Sequence, residues 1–329
     1  MKIAVVILNW NGKELLAQFL PSVIAYSKEA DVYVADNASS DDSVAFVATH
    51  HPEVQIIQNA SNGGYAKGYN DALKSIDADI FCLLNSDVEV TKDWLKPIVQ
   101  TFNDNPKTAI IQPKILDHRN KGMFEYAGAA GGFIDKYGYP YCRGRIFNSI
   151  EIDTGQYNDT TEIFWASGAC LFIRKNSYEA LNGFDESFFA HMEEIDLCWR
   201  AKNKGLQVMY VGASTVYHVG GATLANTSPK KTYLNFRNSL YALVKNAYGN
   251  LFFLLITRLI LDGIAGVKFA LQLQPKHTVA IIKAHFSFYN KLGTLLRKRK
   301  SQEKIKNYYT VRSIVWSYFI ASKKSSQSL

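Results

Sequence analysis

The chain has 329 residues, of which 47% are apolar and 20% are charged. This composition excludes collagen-like, wholly disordered and disulfide-scaffold proteins, and the length favours two domains or one large domain with an appendage. The charge is uneven, because residues 1–228 hold 19 Lys and Arg against 27 Asp and Glu, whereas residues 229–329 hold 18 against 2. The four cysteines form no C-x-x-C pair, which favours reduced thiols in a cytosolic protein over disulfides or a structural zinc site.

The first hundred residues alternate between apolar runs typical of buried strands and the apolar spacing typical of helices. This pattern predicts strands at 3–8, 31–35, 54–57 and 80–84, and helices at 13–26, 43–49, 66–75 and 91–102. Because the connections are short, we expect an α/β fold with a doubly wound, mostly parallel sheet flanked by helices. In such a sheet, ligands bind beyond the carboxyl ends of the strands.

A polar cluster follows each of these four strands. The clusters are Asn9-Trp10-Asn11, Asp36-Asn37, Asn62-Gly63-Gly64 and Asn85-Ser86-Asp87. Since they share one edge of the predicted sheet, we expect a common crevice. Asp36 suits a ribose hydroxyl or a base imide, and Asp87 suits Mg²⁺ or Mn²⁺ on phosphates, although either residue also suits a helix N-cap. The sequence has no P-loop and no G-x-G-x-x-G after the first strand, which argues against a P-loop NTPase and a dinucleotide site.

Several motifs, in order along residues 1–240, carry a resemblance to a known family. The first are I-L-N-W-N-G (7–12), D-N-A-S-S-D-D-S (36–43), N-G-G-Y-A-K-G-Y-N (62–70) and L-L-N-S-D-V (83–88). The later ones are W-A-S-G-A-C-L-F-I-R (165–174), G-F-D-E-S-F-F (183–189), E-E-I-D-L-C-W-R (193–200) and V-Y-H-V-G-G (216–221). Together they resemble glycosyltransferase family 2, whose members are inverting enzymes of the GT-A fold, and in particular its bacterial rhamnosyltransferase-like branch.

The resemblance implies a donor site at the strand ends. Asn85, Ser86 and Asp87 occupy the place of the family's D-x-D metal motif, and since only the last acid is kept, Asp87 is the expected Mg²⁺ or Mn²⁺ ligand. His218 then completes the metal shell, its alternative being a satisfied core histidine. Arg237 approaches the diphosphate or lies on a helix face. The other implied donor-binding residues are Asn9, Asn11, Asp36, Asn37, Gly63, Lys67, Gly68 and Asn70.

The resemblance also implies a catalytic pair. Glu194 is expected to remove the acceptor proton, Glu193 orients it or binds the acceptor, and Asp196 is the next candidate. The implied reaction is a one-step displacement with inversion. The expected acceptor-side residues are Trp165, Gly168 and Ala169, and Trp165 suits a core position equally well. Residues 118–162 lack clear periodicity, so we expect a lid or local disorder there.

Residues 241–329 are expected to form a basic helical extension behind a catalytic domain of residues 1–240. The stretch 251–273 is long enough to cross a bilayer, but Arg258, Asp262 and Lys268 interrupt it, and each charge costs about 2.5–3.5 kcal/mol at the bilayer centre. A helix lying on an anionic membrane surface is therefore favoured over a span, ordinary helix packing or nucleic-acid binding. The predicted helices of this region are 232–248, 251–273, 276–292 and 303–321.

The expected partners follow from these assignments. They are a nucleotide-diphosphate sugar such as dTDP-rhamnose or a UDP-sugar, a glycan or lipid-linked acceptor, an anionic membrane surface and no nucleic acid. The expected location is cytoplasmic, peripheral on the inner face of the cell membrane, and a homo-oligomer stays open. Two alternatives remain, namely a nucleotidyltransferase that makes sugar nucleotides and a non-catalytic sugar-nucleotide-binding protein.

Overall fold

The computed structural model describes residues 1–220, 228–300 and 303–329, so Gly221, the last residue of the V-Y-H-V-G-G motif, lies outside the described residues. The strands are β1 (Ile3–Asn9), β2 (Asp31–Asp36), β3 (Gln55–Gln58), β4 (Ile80–Asn85), β5 (Val88–Val90), β6 (Thr108–Asp117), β7 (Gly132–Ile134), β8 (Pro140–Cys142), β9 (Arg145–Ile146), β10 (Ser149–Ile150), β11 (Thr160–Glu162), β12 (Cys170–Arg174) and β13 (Gln207–His218). The helices are α1 (Lys13–Tyr26), α2 (Ser43–His50), α3 (Gly64–Ala72), α4 (Leu95–Asp104), α5 (Lys175–Ala180), α6 (Glu193–Asn203), α7 (Pro229–Asn246), α8 (Leu251–Leu271), α9 (Pro275–Lys300) and α10 (Ile314–Phe319).

The central sheet has the order β11-β13-β6-β12-β4-β1-β2-β3, with β5 paired to β13. The half made of β3, β2, β1 and β4 is parallel, which confirms the predicted α/β architecture. Beyond it, β12 runs antiparallel between β4 and β6, while β6 and β13 are parallel to each other. The sheet is therefore mixed, because β12 returns from a long excursion rather than from a helical crossover.

Helices cover both faces of this sheet. Side chains alternate along β1, so that Ala4 and Val6 pack into one apolar layer and Val5 and Ile7 into the other. The first layer includes α3, α6 and α7, and the second includes α1, α2 and α4. Burial on both faces explains why β1 and β4 are continuous apolar runs.

The segment 118–162 is ordered, contrary to the expectation of local disorder, whereas a role as a lid stays a prediction. Four short strands form a second antiparallel sheet in the order β10-β9-β8-β7, and β11 joins the edge of the central sheet. Each strand is only two or three residues long. Strands of that length are too short to show an alternation of apolar and polar residues in the sequence.

The C-terminal helices pack onto the body of the protein. The proposed boundary at residue 240 falls within α7, which packs against α6 and α9. The predicted helix 303–321 is helical only over α10, whereas α9 extends to Lys300. In the described parts of the chain, no helix combines the length and apolar character needed to cross a membrane.

Candidate active site

The carboxyl ends of the parallel strands bring the predicted nucleotide residues together. In the sheet register, Asn9 of β1 is opposite Asp36 of β2, and Leu8 is opposite Asn85 of β4. Asn9 Nδ2 donates to Asp36 Oδ1 at 3.2 Å, and Ser39 donates its backbone N–H to Asp36 Oδ2 at 2.9 Å. Both Asn9 and Asp36 are buried, so these bonds fix a rigid polar edge.

The loop after β1 is tied to the loop after β2. The backbone N–H of Asn11 donates to Ser39 Oγ at 2.9 Å, and Asn11 Oδ1 accepts from the N–H of Ser40 at 2.7 Å. Asn11 itself has a left-handed backbone with φ 49°, a conformation that Asn tolerates better than most residues. A Cβ on the neighbouring Gly12 would lie 2.4 Å from Asn9 Oδ1 and 3.6 Å from Ser86 Oγ, so the loops after β1 and β4 also adjoin here.

Asn37 connects this edge to the start of α3. Its Nδ2 donates to Asn62 Oδ1 at 3.0 Å and to the carbonyl of Gly64 at 3.2 Å. A Cβ on Gly68 would lie 3.1 Å from Asn37 Nδ2 and 2.9 Å from Leu8, so a glycine lets α3 approach β1 closely. Asn37 and Gly68 therefore shape the edge by packing.

Two other predicted donor residues on or next to α3 serve the fold itself. Lys67 pairs with Asp71 one turn along the helix at 2.6 Å, and its side chain covers Gly63. Asn70 donates to the carbonyl of Phe184 at 3.0 Å and accepts from Tyr178 OH at 2.6 Å. The amide of Asn70 thus anchors the segment around 178–186, and its donor-binding role stays a prediction.

Asp87 and His218 form the centre of a buried acidic group. His218 Nε2 lies 3.2 Å from Asp87 Oδ1, and His218 Nδ1 lies 3.4 Å from Glu125 Oε1. All three side chains are buried. Burial alone would lower the pKa of His218, but the carboxylates of Glu125 and Asp87 raise it to about 10. The sequence reasoning placed the pair correctly next to each other and missed Glu125.

The donor set at this position fits a hard divalent cation held jointly with phosphates. Mg²⁺ in proteins is commonly held by one or two carboxylates and the substrate's phosphates, and a histidine nitrogen suits Mn²⁺. Asp87 and His218 supply one ligand of each kind at the end of β4 and β13. Within the described residues, no ready-made cluster of three or more His, Cys, Asp or Glu side chains is arranged around one ion.

The Glu193-Glu194 pair lies in the first turn of α6, with Glu193 buried and Glu194 half-buried. Among the described residues, neither Glu193 Oε2 nor Glu194 Oε2 has a hydrogen-bond partner. Burial raises the pKa of Glu194 to about 7, opposed only in part by backbone N–H groups of the first helical turn. Burial and the charge of Glu194 raise the pKa of Glu193 well above its usual value. A carboxylate whose pKa lies near neutrality is suited to accept a proton from a hydroxyl.

A strained turn presents this pair. Phe189, His191 and Met192 all have left-handed backbones, with φ of 67°, 68° and 71°. Non-glycine residues persist in such conformations only where the surroundings hold them, at a cost of about 1–3 kcal/mol each. Asn238 of α7 holds this turn, because its buried Nδ2 lies 2.7–3.0 Å from the carbonyls of Phe188, Ala190 and His191.

Arg237 braces the same turn. Its guanidinium donates to the carbonyl of Phe188 at 2.9 Å and stacks between the rings of Tyr233 and Tyr241 at 5.2 and 5.3 Å. In this structure Arg237 supports the turn before the Glu pair, and its approach to a diphosphate stays a prediction. The physical reason is that the carbonyls of a strained turn need donors, and α7 lies directly behind it.

Asp196 does not join the Glu pair and is corrected as a catalytic candidate. It lies two residues after Glu194, about 200° around the helix, and so faces α7. Arg200 donates to it at 2.8 Å, and Lys245 Nζ lies 2.8 Å from its other oxygen. Although burial favours the neutral acid, Lys245 and Arg200 lower the pKa of Asp196. The residue anchors α6 through a buried ion pair.

The predicted acceptor residues divide into two kinds. Tyr65 OH donates to the carbonyl of Gly168 at 2.8 Å, and a Cβ on Gly168 would lie 3.1 Å from that hydroxyl. Ala169 O accepts from the N–H of Asn85 at 3.0 Å, which joins this segment to the loop of Asn85, Ser86 and Asp87. Trp165 is a core residue instead, because its indole packs onto Gly132 and its Nε1 donates to the carbonyl of Phe133 at 2.8 Å. Only 3% of Trp165 is exposed, so a sugar cannot stack on it.

Hydrogen bonds connect the loop of Asp87 to the turn that presents the Glu pair. Asn85, two residues before Asp87, donates its N–H to the carbonyl of Ala169, and Tyr65 OH donates to the carbonyl of the adjacent Gly168. The backbone N–H of Tyr65 donates to the carbonyl of Phe189 at 2.9 Å, in the turn before Glu193. These contacts link the Asp87 side of the described residues to the Glu pair. Sequence reasoning missed Glu125 and Tyr65, of which Tyr65 lies within the N-G-G-Y-A-K-G-Y-N motif (62–70).

Comparison with known proteins agrees with this arrangement. The model of the glycosyl transferase family 2 matches residues 4–181. A low-salt glycan biosynthesis hexosyltransferase of Haloferax volcanii is 23% identical over 73% of this chain and 75% of its own length. An N-acetylglucosaminyl-diphospho-decaprenol L-rhamnosyltransferase of Mycobacterium tuberculosis is 24% identical over 65% of this chain and 75% of its own length.

A solved structure shares the architecture. The mannosyltransferase of Pyrobaculum calidifontis, crystallised with GDP-mannose and Mn²⁺, superposes with a TM-score of 0.56 at 12% identity. The match covers 88% of this chain and 87% of that one. The chain therefore belongs to glycosyl transferase family 2 and has the GT-A fold.

Proposed function

We propose that this protein transfers a hexosyl or rhamnosyl group from a nucleotide-diphosphate sugar to a hydroxyl of a glycan or lipid-linked acceptor. The observation that supports the proposal is the chain of hydrogen bonds through Tyr65, which links the loop of Asp87, beside His218, to the turn that presents the unpartnered Oε2 of Glu194. The named hexosyl- and rhamnosyltransferases among its relatives support the substrate class.

The donor binds across the strand ends. Asp36, already oriented by Asn9 and Ser39, accepts a hydrogen bond from the ribose or the base of the nucleotide. Asn11 and Asn37 hold the flanking loops. Ser86 and Asn85 border the diphosphate. Asp87 and His218 would hold Mg²⁺ or Mn²⁺ there, and the bound cation would offset the negative charge on the departing diphosphate. Burial and the charge of Glu194 raise the pKa of Glu193, which favours the neutral form of Glu193 beside an ionised Glu194.

Glu194 acts as the base. The acceptor hydroxyl lies near Gly168 and Ala169, and its oxygen attacks the anomeric carbon from the side opposite the diphosphate. As the new C–O bond forms, the bond to the diphosphate breaks with its electron pair, and the hydroxyl proton passes to Glu194 Oε2. One displacement of this kind inverts the anomeric configuration and needs no covalent enzyme intermediate.

The proposed location follows from the acceptor. A lipid-linked glycan is carried by a membrane, and the basic extension of residues 241–329 suits an anionic leaflet. We place the protein on the inner face of the cell membrane.

A thermal-shift panel tests the donor assignment. UDP-, dTDP- and GDP-sugars are each added with Mn²⁺, and at least one is expected to raise the unfolding midpoint, since a ligand at about 100 times its Kd stabilises by ~2.7 kcal/mol. Stabilisation by nucleoside triphosphates alone would contradict the proposal in favour of a nucleotidyltransferase. Binding of a sugar nucleotide without turnover on any acceptor extract would favour a non-catalytic binding protein.

A further inference from the structure

Two of the three charged side chains of helix α8 face the protein. Its buried positions are Leu254, Arg258, Asp262 and Gly266, one per turn. Arg258 Nε donates to Asp262 Oδ1 at 2.9 Å, and its other nitrogens reach Ser239 Oγ at 2.6 Å and the carbonyl of Tyr137 at 3.0 Å. Tyr139 OH donates to Asp262 at 2.6 Å. Of the three charges that interrupt the apolar stretch in the sequence, only Lys268 is therefore exposed.

The outer face of α8 is apolar instead. A surface helix in water normally turns its apolar stripe inward and its charges outward. In α8 the exposed side chains are Phe252, Phe253, Ile256, Ile260, Ile264, Val267, Lys268 and Leu271, and most of the apolar ones are more than half exposed. Patches of this extent on monomeric proteins mark interaction sites.

The neighbouring helices extend this face. The exposed apolar residues of α9 are Val279, Ile282, Phe286, Tyr289 and Leu296, and those at and just after α10 are Trp316, Phe319 and Ile320. Lys268 Nζ lies 4.2 Å from the ring centre of Phe319, which brings α10 beside the end of α8. We call the exposed apolar side chains of these three helices the outer face.

Basic side chains border the outer face. The exposed ones on α8 and α9 are Lys268, Lys276, Lys283, Lys291, Arg297 and Lys300. Asp262 and Glu303 are the sole acidic residues of 229–329, and Asp262 is buried. In the run 297–300, Lys298 pairs with Asp185 at 2.7 Å and Arg299 donates to backbone carbonyls, so only its two ends are exposed. An apolar face with a positive border is complementary to an anionic lipid surface.

We propose that the outer face docks on an anionic bilayer, with α8 lying in the interface rather than crossing the membrane. The apolar side chains enter the headgroup boundary, and the bordering lysines and arginines contact lipid phosphates. A second copy of the chain is the weaker occupant, because a two-fold contact would bring two positive borders together. The proposal rests on the surface alone and stands whatever sugar the active site transfers.

Vesicle sedimentation tests the proposal with the full chain. Wild-type protein is expected to bind vesicles of phosphatidylglycerol and phosphatidylcholine, and to bind phosphatidylcholine alone more than about tenfold less tightly. Ile260→Asp with Ile264→Asp, both 59% exposed, is expected to weaken binding to the mixed vesicles more than about tenfold without lowering the unfolding midpoint. Ile152→Asp is the control, because Ile152 is 63% exposed and lies outside the three helices of the outer face, and it should bind as wild type does.

Several outcomes would overturn the proposal. Wild-type protein that stays in the supernatant with anionic vesicles would do so, as would a double variant that binds as tightly as Ile152→Asp. A wild-type dimer in buffer that the double variant splits, with no vesicle binding by either, would assign the outer face to a second copy.

Tryptophan fluorescence gives a second reading that does not depend on that variant. Trp316 is 63% exposed in the outer face and Trp10 is 50% exposed at the donor edge, whereas the other three tryptophans are buried. Anionic vesicles should shift the emission of wild type and Trp10→Phe to shorter wavelength, and Trp316→Phe should lose the shift. A shift that persists in Trp316→Phe and vanishes in Trp10→Phe would refute the docking surface.

Discussion

Glu194→Gln is expected to separate stability from catalysis. Burial raises the pKa of Glu194 to about 7 from an ordinary value of 4.5. Between those two pH values the folded chain keeps a proton that the unfolded chain releases, so the carboxyl's contribution to stability is complete below pH 4.5 and is lost as the pH rises through 7. The shift sets a ceiling of roughly 3 kcal/mol for this loss, and because Glu194 is only half-buried, solvent screening leaves about 1–2 kcal/mol.

Glutamine has nearly the same shape and no charge, so the variant does not carry this cost. Glu194→Gln should be more stable than wild type by about 1–2 kcal/mol at pH 8 and equal to it at pH 4.5. Urea unfolding at the two pH values measures the difference. Glu179→Gln is the matched control, because Glu179 is an exposed glutamate near the end of α5, and this variant should show no such gain. Transfer should fall about 10²–10⁴-fold, the usual contribution of a general base. A variant that is less stable than wild type at pH 8, or that transfers sugar at the wild-type rate, would refute the assignment.

Three further substitutions test the parts that position the site. Asn238→Ala removes the hydrogen-bond donor from three carbonyls of the strained turn and should lower the free energy of unfolding by about 1–3 kcal/mol. Initial-rate measurements should show that kcat falls more than the affinity for the sugar nucleotide. Lys245→Met leaves Asp185 and Asp196 buried without their shared cation and should cost about 3–5 kcal/mol in urea unfolding; a loss under about 1 kcal/mol would contradict the ion-pair account. Gly132→Ala places a methyl 2.0 Å from the Trp165 ring and should lower the free energy of unfolding by about 1–3 kcal/mol, whereas an unchanged value would place Trp165 outside the core.

The strand-end residues were predictable because parallel strands impose their geometry. Four polar clusters after four strands had to share one edge, and the register of Asn9 with Asp36 confirms it for the first two. The antiparallel course of β12 was not predictable, since a continuous apolar run reads the same in either direction. Glu125 was missed for a related reason, because it precedes the very short strands β7–β10, whose pattern carries no periodicity.

The position of a charged residue around its helix explains why the sequence did not reveal the roles of Asp196, Arg258 and Asp262. Asp196 stands in the same motif as Glu194, but a separation of two residues puts them on different sides of α6. Arg258 and Asp262 count in the sequence as charges that interrupt an apolar stretch, and their spacing of four is also that of an ion pair along one helical face. In both cases the role of the residue depends on which face of its helix is buried. Only the packing against α7 determines that face.

The central claim is that Asp87 serves the donor and Glu194 serves the acceptor within one site. The most direct measurement is calorimetric titration of the stabilising nucleotide sugar, with Mn²⁺, into wild type, Asp87→Asn and Glu194→Gln, followed by transfer assays on the same samples. We predict that Asp87→Asn lowers donor affinity at least about tenfold, while Glu194→Gln binds the donor as wild type does and no longer transfers it. Loss of donor binding in Glu194→Gln together with wild-type binding in Asp87→Asn would contradict the claim.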